Sequence, residues 1–249
     1  MQNFRLTIEY DGTNFNGWQT QAQNCRTVQG EIQKALKIIF KKNITLIGSG
    51  RTDSGVHALG QTAHLKIKTA MPTDEILRAL NANLPDDISI INVEEMPLKF
   101  HAQYGIKTKT YRYTILNRPS RSPQQRNFCL FYPYKLNLKV MKEEAKVLVG
   151  KHNFKSFQST DPARPERGED SVRTIKRLDI KKKDGRITID IEADGFLYKM
   201  VRSIVGTLIE VGRGKLAKGS MKKILSAKDR SCASPTAPAK GLCLWETKY

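Results

Sequence analysis

Residues 48–58 constrain the fold of this chain more than any other stretch, and they read GSGRTDSGVHA. The stretch lies between residues 44–47 and 61–67, two runs with the composition of β-strands. In the second run Ala63, Leu65 and Ile67 alternate with polar residues, which is typical of a half-buried strand. Glycines allow backbone conformations and close approaches that other residues disfavour, and loops of this kind often carry functional groups. The sequence therefore predicts a strand, a functional loop and a second strand.

Asp53 is the candidate catalytic residue of this loop, with Arg51 and His57 nearby. An aspartate among glycines is more often a turn residue that accepts hydrogen bonds from its own backbone. Composition alone favours the role of a turn residue for Asp53. The surrounding residue string decides the question.

The string GRTDSGVHA at residues 50–58 resembles the signature of the TruA family of tRNA pseudouridine synthases. Further segments resemble the same family in the expected order along nearly the whole chain. They are YDGTNFNGWQ (10–19), TVQG (27–30), NANLPDDI (81–88), FHA (100–102), YRY (111–113), HNFKSF (152–157), VRTI (172–175), FLYKMVRSIVG (196–206) and APAKGL (237–242). Ordered matches of this extent are hard to explain by chance.

Charge points independently to a polyanionic partner. The chain has 43 Lys and Arg against 24 Asp and Glu, a net charge of +19, and no acidic residue occurs between Glu95 and Glu143. That interval also holds eight tyrosines and phenylalanines among its bases, a mixture that suits phosphate neutralisation and base stacking. The alternatives are a basic charge that only aids solubility and aromatic residues that pack in a core. For the individual aromatics other than Tyr111 both interpretations stay open.

Other classes of protein are disfavoured. The four cysteines have no CxxC spacing and the four histidines are scattered, so no zinc pattern is present. The sequence also has no Walker loop and no dinucleotide-binding motif. We therefore expect neither a cofactor nor a metal. No apolar run is long enough for a membrane span, and Phe4, Leu6, Ile8 and Tyr10 alternate where a signal peptide would be apolar, so we expect a cytoplasmic protein.

Helical and strand patterns alternate along the chain and predict an α+β fold. Predicted helices cover residues 28–40 with Thr27 as N-cap, 74–81, 140–149 ending at Gly150, 196–211, and part of 215–227. Predicted strands cover residues 88–93, 109–116, 175–181, 186–191 and 241–247. Lys183, Asp184 and Gly185 predict a hairpin turn between the third and the fourth of them. Residues 117–126 are either a surface linker or a basic RNA-binding arm, and residues 158–170 are either a mobile lid or disordered.

The family resemblance implies more than the patterns do. It implies two similar domains, which we place at residues 1–105 and 106–249, although we find no sequence repeat between them. Their mostly antiparallel sheets would join into one central sheet with helices on one side and a basic cleft between the domains. It also implies a homodimer.

The implied reaction is the isomerisation of uridine to pseudouridine in the anticodon stem-loop of tRNA. Asp53 matches the catalytic aspartate of the family, and Arg51 matches an arginine that helps to flip the base. Tyr111 matches a tyrosine that stacks on uracil, Arg202 a cation that pairs with the aspartate, and Leu242 an apolar wall of the pocket. The rival hypotheses are an RNA-binding protein without catalysis and a relative that acts on ribosomal RNA.

Overall fold

Alternation in the first ten residues produces a strand, β1 (Gln2–Tyr10). Phe4, Leu6, Ile8 and Tyr10 are at most 3% exposed, which confirms the predicted inward face. Period-two burial of this kind is what a strand with one covered face requires.

The structure is a computed structural model that describes residues 1–21, 25–160 and 170–249. Within these residues it has ten strands and five α-helices, and most strand pairs are antiparallel. The strands are β1, β2 (Leu46–Gly48), β3 (His57–Ile67), β4 (Ile88–Met96), β5 (Thr108–Leu116), β6 (Leu130–Phe131), β7 (Gly150–Asn153), β8 (Val172–Lys183), β9 (Arg186–Ala193) and β10 (Leu242–Lys248). The helices are α1 (Val28–Phe40), α2 (Thr73–Asn83), α3 (Leu138–Ala145), α4 (Met200–Gly212) and α5 (Ser220–Ala227).

The chain divides into two compact units, and the first contains Met1–Lys107 together with Cys243–Tyr249. Its strands are ordered β4-β1-β3-β10, and β2 also pairs with β3. The β1 pairs are antiparallel, whereas β10 runs parallel to β3 with Cys243 opposite His57. The end of the chain thus pairs with the strand that follows the Asp53 loop.

Helix α1 has the bounds that the sequence predicted. The side chain of Thr27 accepts a hydrogen bond from the Gly30 N–H at 3.2 Å, as expected of an N-cap. Val28, Ile32 and Leu36 are buried along one face. Helix α2 covers the predicted residues 74–81 and is slightly longer at both ends.

The second unit spans Thr108–Leu242, and its strands are ordered β5-β9-β8-β7 with β6 beside β5. Strands β8 and β9 form the predicted hairpin. Its turn residues Asp184 and Gly185 both have positive φ, 49° and 72°, as a tight two-residue hairpin turn requires. Residues 117–126 have no helix or strand.

Two helix predictions in this unit were wrong at one end. Helix α4 begins at Met200 instead of residue 196, because Lys199 has a left-handed backbone with φ 58°. Helix α3 ends at Ala145 and continues only as a 3-10 turn over Lys146–Leu148. Gly150, with φ 112°, starts β7 and does not close a helix.

The described helices were compared with the length and hydrophobicity that a membrane span needs. Among the described residues, no helix combines the length and the apolar character needed to cross a bilayer. Of the predicted lid at residues 158–170, residues 161–169 lie outside the part that the structure describes.

Candidate active site

The Asp53 loop begins where β2 ends at Gly48 and finishes where β3 starts at His57. Within it Thr52 and Val56 are buried, Asp53 is half-buried and Arg51 is exposed. The carboxylate is therefore only partly enclosed. The loop places an acid and an exposed cation at one end of a buried strand.

A second segment, residues 12–18, braces this loop through backbone hydrogen bonds. The Trp18 N–H donates to the Thr52 carbonyl at 3.1 Å, and the Gly55 N–H donates to the Phe15 carbonyl at 3.3 Å. The Ser54 hydroxyl donates to the same Phe15 carbonyl at 3.1 Å. Asp53 thus lies between two residues whose main chain or side chain is fixed to the brace.

Glycines make this close approach possible. A Cβ on Gly17, where φ is 87°, would lie 2.6 Å from the Thr52 carbonyl oxygen. A Cβ on Gly12 would lie 2.0 Å from the Val56 carbonyl oxygen, and one on Gly48 would lie 2.5 Å from the Trp18 indole nitrogen. Real Cβ atoms do not tolerate such distances, so these positions require glycine.

Buried polar side chains complete the support. The Tyr10 hydroxyl and Thr52 Oγ1 are 2.7 Å apart, and the Gly12 N–H donates to His57 Nδ1 at 3.0 Å. Gln61 donates from Nε2 to the Gly50 carbonyl at 2.9 Å. Thr52 and His57 therefore shape the loop.

In the second unit Tyr111 lies on β5 and is 8% exposed. Its ring meets Phe196 edge to face, with centroids 5.1 Å apart and planes at 89°. Such a contact fixes the plane of the tyrosine ring. Phe196 was not among the predicted site residues, although it is the first residue of the family-like segment 196–206.

Arg202 is half-buried on the first turn of α4. Its Nε–H donates to the Ala237 carbonyl at 2.8 Å, and the Ala237 N–H donates back to the Arg202 carbonyl at 3.0 Å. The guanidinium is thus held by a backbone partner. This hydrogen bond orients the side chain instead of leaving it to extend into solvent.

The segment that anchors Arg202 also reaches β5 and Leu242. The Tyr113 hydroxyl donates to the Pro238 carbonyl at 2.9 Å, and a Cβ on Gly241 would lie 2.5 Å from the Tyr113 ring. Leu242, the next residue, is 5% exposed. Within the second unit the segment 237–242 therefore contacts both Arg202 and Tyr113, two residues after Tyr111 on β5, and leads into Leu242.

The predicted site residues thus fall into two groups. Arg51 and Asp53 lie in the first unit, and Tyr111, Arg202 and Leu242 lie in the second. The brace at residues 12–18 had a sequence signal, since it lies within the quoted segment 10–19, but nothing local showed what it contacts.

Some bases of the acid-free interval serve the fold. Arg112 makes two hydrogen bonds to the Asp190 carboxylate, from Nε at 2.6 Å and from a terminal nitrogen at 2.9 Å. Burial lowers the pKa of Lys109 to about 8. The surplus of positive charge in this interval is therefore not all available to a ligand.

Metal ligation has no support among the described residues, where no cluster of three or more His, Cys, Asp or Glu side chains could hold an ion. None of the four cysteines, all of which are among the described residues, forms a disulfide. The functional groups of the predicted site residues are a carboxylate, guanidinium groups and an aromatic ring.

A family model described as "tRNA pseudouridine synthase" matches residues 6–105 and 145–249. The "tRNA pseudouridine synthase A" of Thermoanaerobacter sp. (strain X514) is 44% identical over 249 residues and covers 100% of both chains. Its namesake from Clostridium acetobutylicum is 45% identical with the same coverage, and that from Geobacillus kaustophilus is 41% identical over 100% of this chain and 95% of its own. A solved structure titled "Crystal Structure of a Cbf5-Nop10-Gar1 Complex" is 12% identical with a TM-score of 0.34, over 82% of this chain and 54% of that one, too low for an argument.

Proposed function

Because the chain belongs to the tRNA pseudouridine synthase family, we propose that it isomerises uridine to pseudouridine in the anticodon stem-loop of tRNA, with Asp53 as its catalytic carboxylate. The observation that carries this proposal is the GRTDSGVHA loop, in which Thr52 and Gly55 on either side of Asp53 are hydrogen-bonded to the brace at residues 12–18. A fixed carboxylate at the surface of a unit is what chemistry on a bound nucleotide requires.

The reaction conserves every atom of the nucleotide except for one exchanged proton. The N-glycosidic bond breaks, the uracil turns while it is held, and a C–C bond forms from C5 to the same sugar carbon. The hydrogen at C5 leaves to solvent, and N1 gains a proton. A carboxylate serves this sequence either as a covalent nucleophile or by stabilising charge at the sugar and moving a proton.

We assign the opening of the stem-loop to Arg51 and Tyr111. A base that reacts at its sugar has to leave the stack, at a cost of a few kcal/mol, roughly. Arg51 is exposed, so its long side chain can enter the space that the base leaves. Tyr111, held edge to face by Phe196, offers its ring to the uracil, and such stacking contributes about 1–3 kcal/mol per base.

Arg202 is assigned as the cation that keeps Asp53 ionised when a base covers it. Desolvation disfavours a charged carboxylate, and a positive charge opposes that effect. The hydrogen bond from Arg202 Nε to the Ala237 carbonyl supports the assignment, because it fixes the orientation of the guanidinium group. Leu242 is assigned to the apolar wall of the pocket.

Several wider features of the resemblance belong to the same proposal. They are two similar domains at residues 1–105 and 106–249 with a joined sheet and a basic cleft, a homodimer, and a cytoplasmic location. Light scattering on the purified protein measures the dimer directly. A monomer with full activity on tRNA would contradict that part without affecting the chemistry.

The decisive experiment measures tritium release from tRNA that carries uridine labelled at C5. We expect release by the wild type and none above background by Asp53→Asn, with tRNA affinity within about twofold because the fold and the basic surface are unchanged. Asp86→Asn, a change at an exposed aspartate, is the matched control and should keep activity. Turnover by Asp53→Asn would contradict the assignment.

The same assay separates the rival functions. The net charge of +19 suits an RNA-binding protein without catalysis equally well. Tight, salt-sensitive binding of tRNA without tritium release would favour that function. Tritium release from ribosomal RNA but not from tRNA would favour a family member that acts on ribosomal RNA.

A further inference from the structure

A cleft of about 490 Å³ opens in the first unit beside the edge strand β2 and the last residues of β3. Five apolar residues line it: Met1, Ile44, Ile47, Leu65 and Ile67. Lys42, Lys66 and Lys68 also line it, and all three are exposed. None of the described residues that line the cleft is acidic. An apolar floor with a basic rim suits a ligand that is flat on one side and anionic on the other.

The cleft lies away from Asp53. His64 borders it, and His64 is seven residues along β3 from His57, where the Asp53 loop ends. At about 3.3 Å per residue this spacing amounts to roughly 23 Å. The cleft therefore lies toward the far end of β3 from His57, where the Asp53 loop ends.

Two histidines form a rigid wall of the cleft. Buried His64 accepts the Ala102 N–H on Nδ1 at 3.2 Å, and burial, with His101 and Lys66 nearby, lowers its pKa to about 4. The ring of His101 is 4.7 Å from that of His64. Its Nδ1 accepts the N–H groups of Gln103 and Tyr104 at 3.2 and 3.4 Å. His64 is uncharged at neutral pH, so the lysines supply the positive charge.

Tyr104 extends this wall to the surface. Its ring stacks on His101 with centroids 4.3 Å apart and planes at 26°. The side chain is nevertheless 80% exposed, so packing against the protein explains little of its position. His101 lines the same cleft as the lysines, so the ring stacked on it is an exposed aromatic surface at a basic cleft, on which a nucleic acid base can stack.

We propose that this lysine-rimmed cleft and Tyr104 together bind a nucleotide of the RNA substrate at a distance from the target uridine. Lys66 and Lys68 would contact its phosphates, and the Tyr104 ring would stack on its base. The identity of the RNA as tRNA rests on the proposed function. The absence of acidic residues among the described lining residues favours this polyanionic occupant over a peptide or a cationic ligand.

The test compares Lys66→Ala/Lys68→Ala with Lys222→Ala/Lys223→Ala, a pair of exposed lysines on α5 that changes the net charge equally. Affinity for full-length tRNA is measured by filter binding over a salt series. We expect the cleft pair to weaken binding on the order of fivefold or more at 0.1 M salt and to reduce the slope of log K against log salt by about one to two. The control pair should stay within about twofold of wild type.

Tyr104 is tested separately with a conservative partner. Tyr104→Ala should weaken tRNA binding about fivefold, and Tyr104→Phe should restore it, because stacking needs the ring and not the hydroxyl. In steady-state turnover the loss should appear in KM with kcat unchanged. Equal loss in both lysine pairs, or wild-type binding by Tyr104→Ala, would overturn the proposal.

Two further outcomes are informative. Strong competition by inorganic phosphate at millimolar concentration would identify a small-anion site and overturn binding of RNA. Because the binding assay does not depend on turnover, its result stands even if the wild type releases no tritium. Binding at the cleft without tritium release by the wild type would contradict the proposed function but would still support the cleft as an RNA-binding site.

Discussion

The Tyr10 hydroxyl lies 2.7 Å from Thr52 Oγ1, so β1 is hydrogen-bonded to the residue immediately before Asp53. Both side chains are buried, at 3% and 6% exposure. Burial raises the pKa of Tyr10 above its ordinary value, which keeps the phenol protonated and able to hydrogen-bond. One core strand thereby fixes the position of the proposed catalytic carboxylate without touching it.

We expect Tyr10→Phe to lower the free energy of unfolding by about 1–2 kcal/mol, since it leaves the buried Thr52 hydroxyl without this partner. It should also lower kcat with little change in KM, because Asp53 would be positioned less well. Urea denaturation and steady-state tritium release measure the two effects. Thr52→Val and the double variant complete a mutant cycle, and a coupling energy near zero would contradict the positioning role.

Gly17 should be the brace residue that tolerates substitution least. Gly17→Ala places a Cβ 2.6 Å from the Thr52 carbonyl at φ 87°, so it combines backbone strain with a clash. The matched control is Gly219→Ala, which has the same φ of 87° and nothing within 4 Å of the added Cβ. We expect Gly17→Ala to cost at least about 2 kcal/mol more than the control and to reduce kcat. Equal melting temperatures for the two variants would refute this explanation.

Local patterns predicted the elements whose stability is local. The alternation of β1, the N-cap and apolar face of α1, and the Asp184–Gly185 turn were all read correctly because each depends on neighbours within a few residues. The start of α4 was missed because the left-handed Lys199 carries no glycine signal. Parallel pairing of β10 with β3 joins residues far apart in sequence, which periodicity does not reveal.

In the candidate site, too, the sequence identified the residues of local motifs but not the contacts between distant elements. The resemblance selected Asp53, Arg51, Tyr111, Arg202 and Leu242, because a motif preserves residue types in order. It did not indicate what holds them in place. The contact of Tyr111 with Phe196 and the bond from Arg202 to Ala237 depend on side-chain packing across separate elements. Such contacts leave no periodic trace in one sequence.

Arg202→Lys should separate charge from geometry. Lysine keeps the positive charge but has no Nε–H to donate to the Ala237 carbonyl and no planar fork. We expect kcat to fall on the order of 10- to 100-fold with KM within about twofold. In Arg202→Gln kcat should fall further, because this change removes the positive charge as well as the planar fork. Wild-type kcat in Arg202→Gln would contradict the assigned role.

Arg112 should prove structural although it lies in the acid-free basic interval. Its two hydrogen bonds neutralise Asp190, which is 8% exposed, so Arg112→Ala would leave that carboxylate partly buried without this cation. We expect a loss of about 2–3 kcal/mol in stability, at the lower end for a buried pair because Arg112 itself is partly exposed. The KM for tRNA should not change at a temperature where the variant is folded. A raised KM with normal stability would instead place Arg112 on the RNA.

His64 should make the protein less stable in mild acid. Its pKa in the folded state is lowered from 6.5 to about 4, first by burial and then by His101 and Lys66. Between these two pH values the unfolded chain binds more protons at this residue than the folded chain, so stability falls as the pH falls. From pH 7 to pH 5 the effect amounts to about 2 kcal/mol, since one pKa unit corresponds to about 1.4 kcal/mol. Urea denaturation of the wild type and of His64→Gln at both pH values isolates the residue. The variant should lose about 2 kcal/mol less than the wild type, and parallel losses in the two proteins would show that His64 is not the group that titrates.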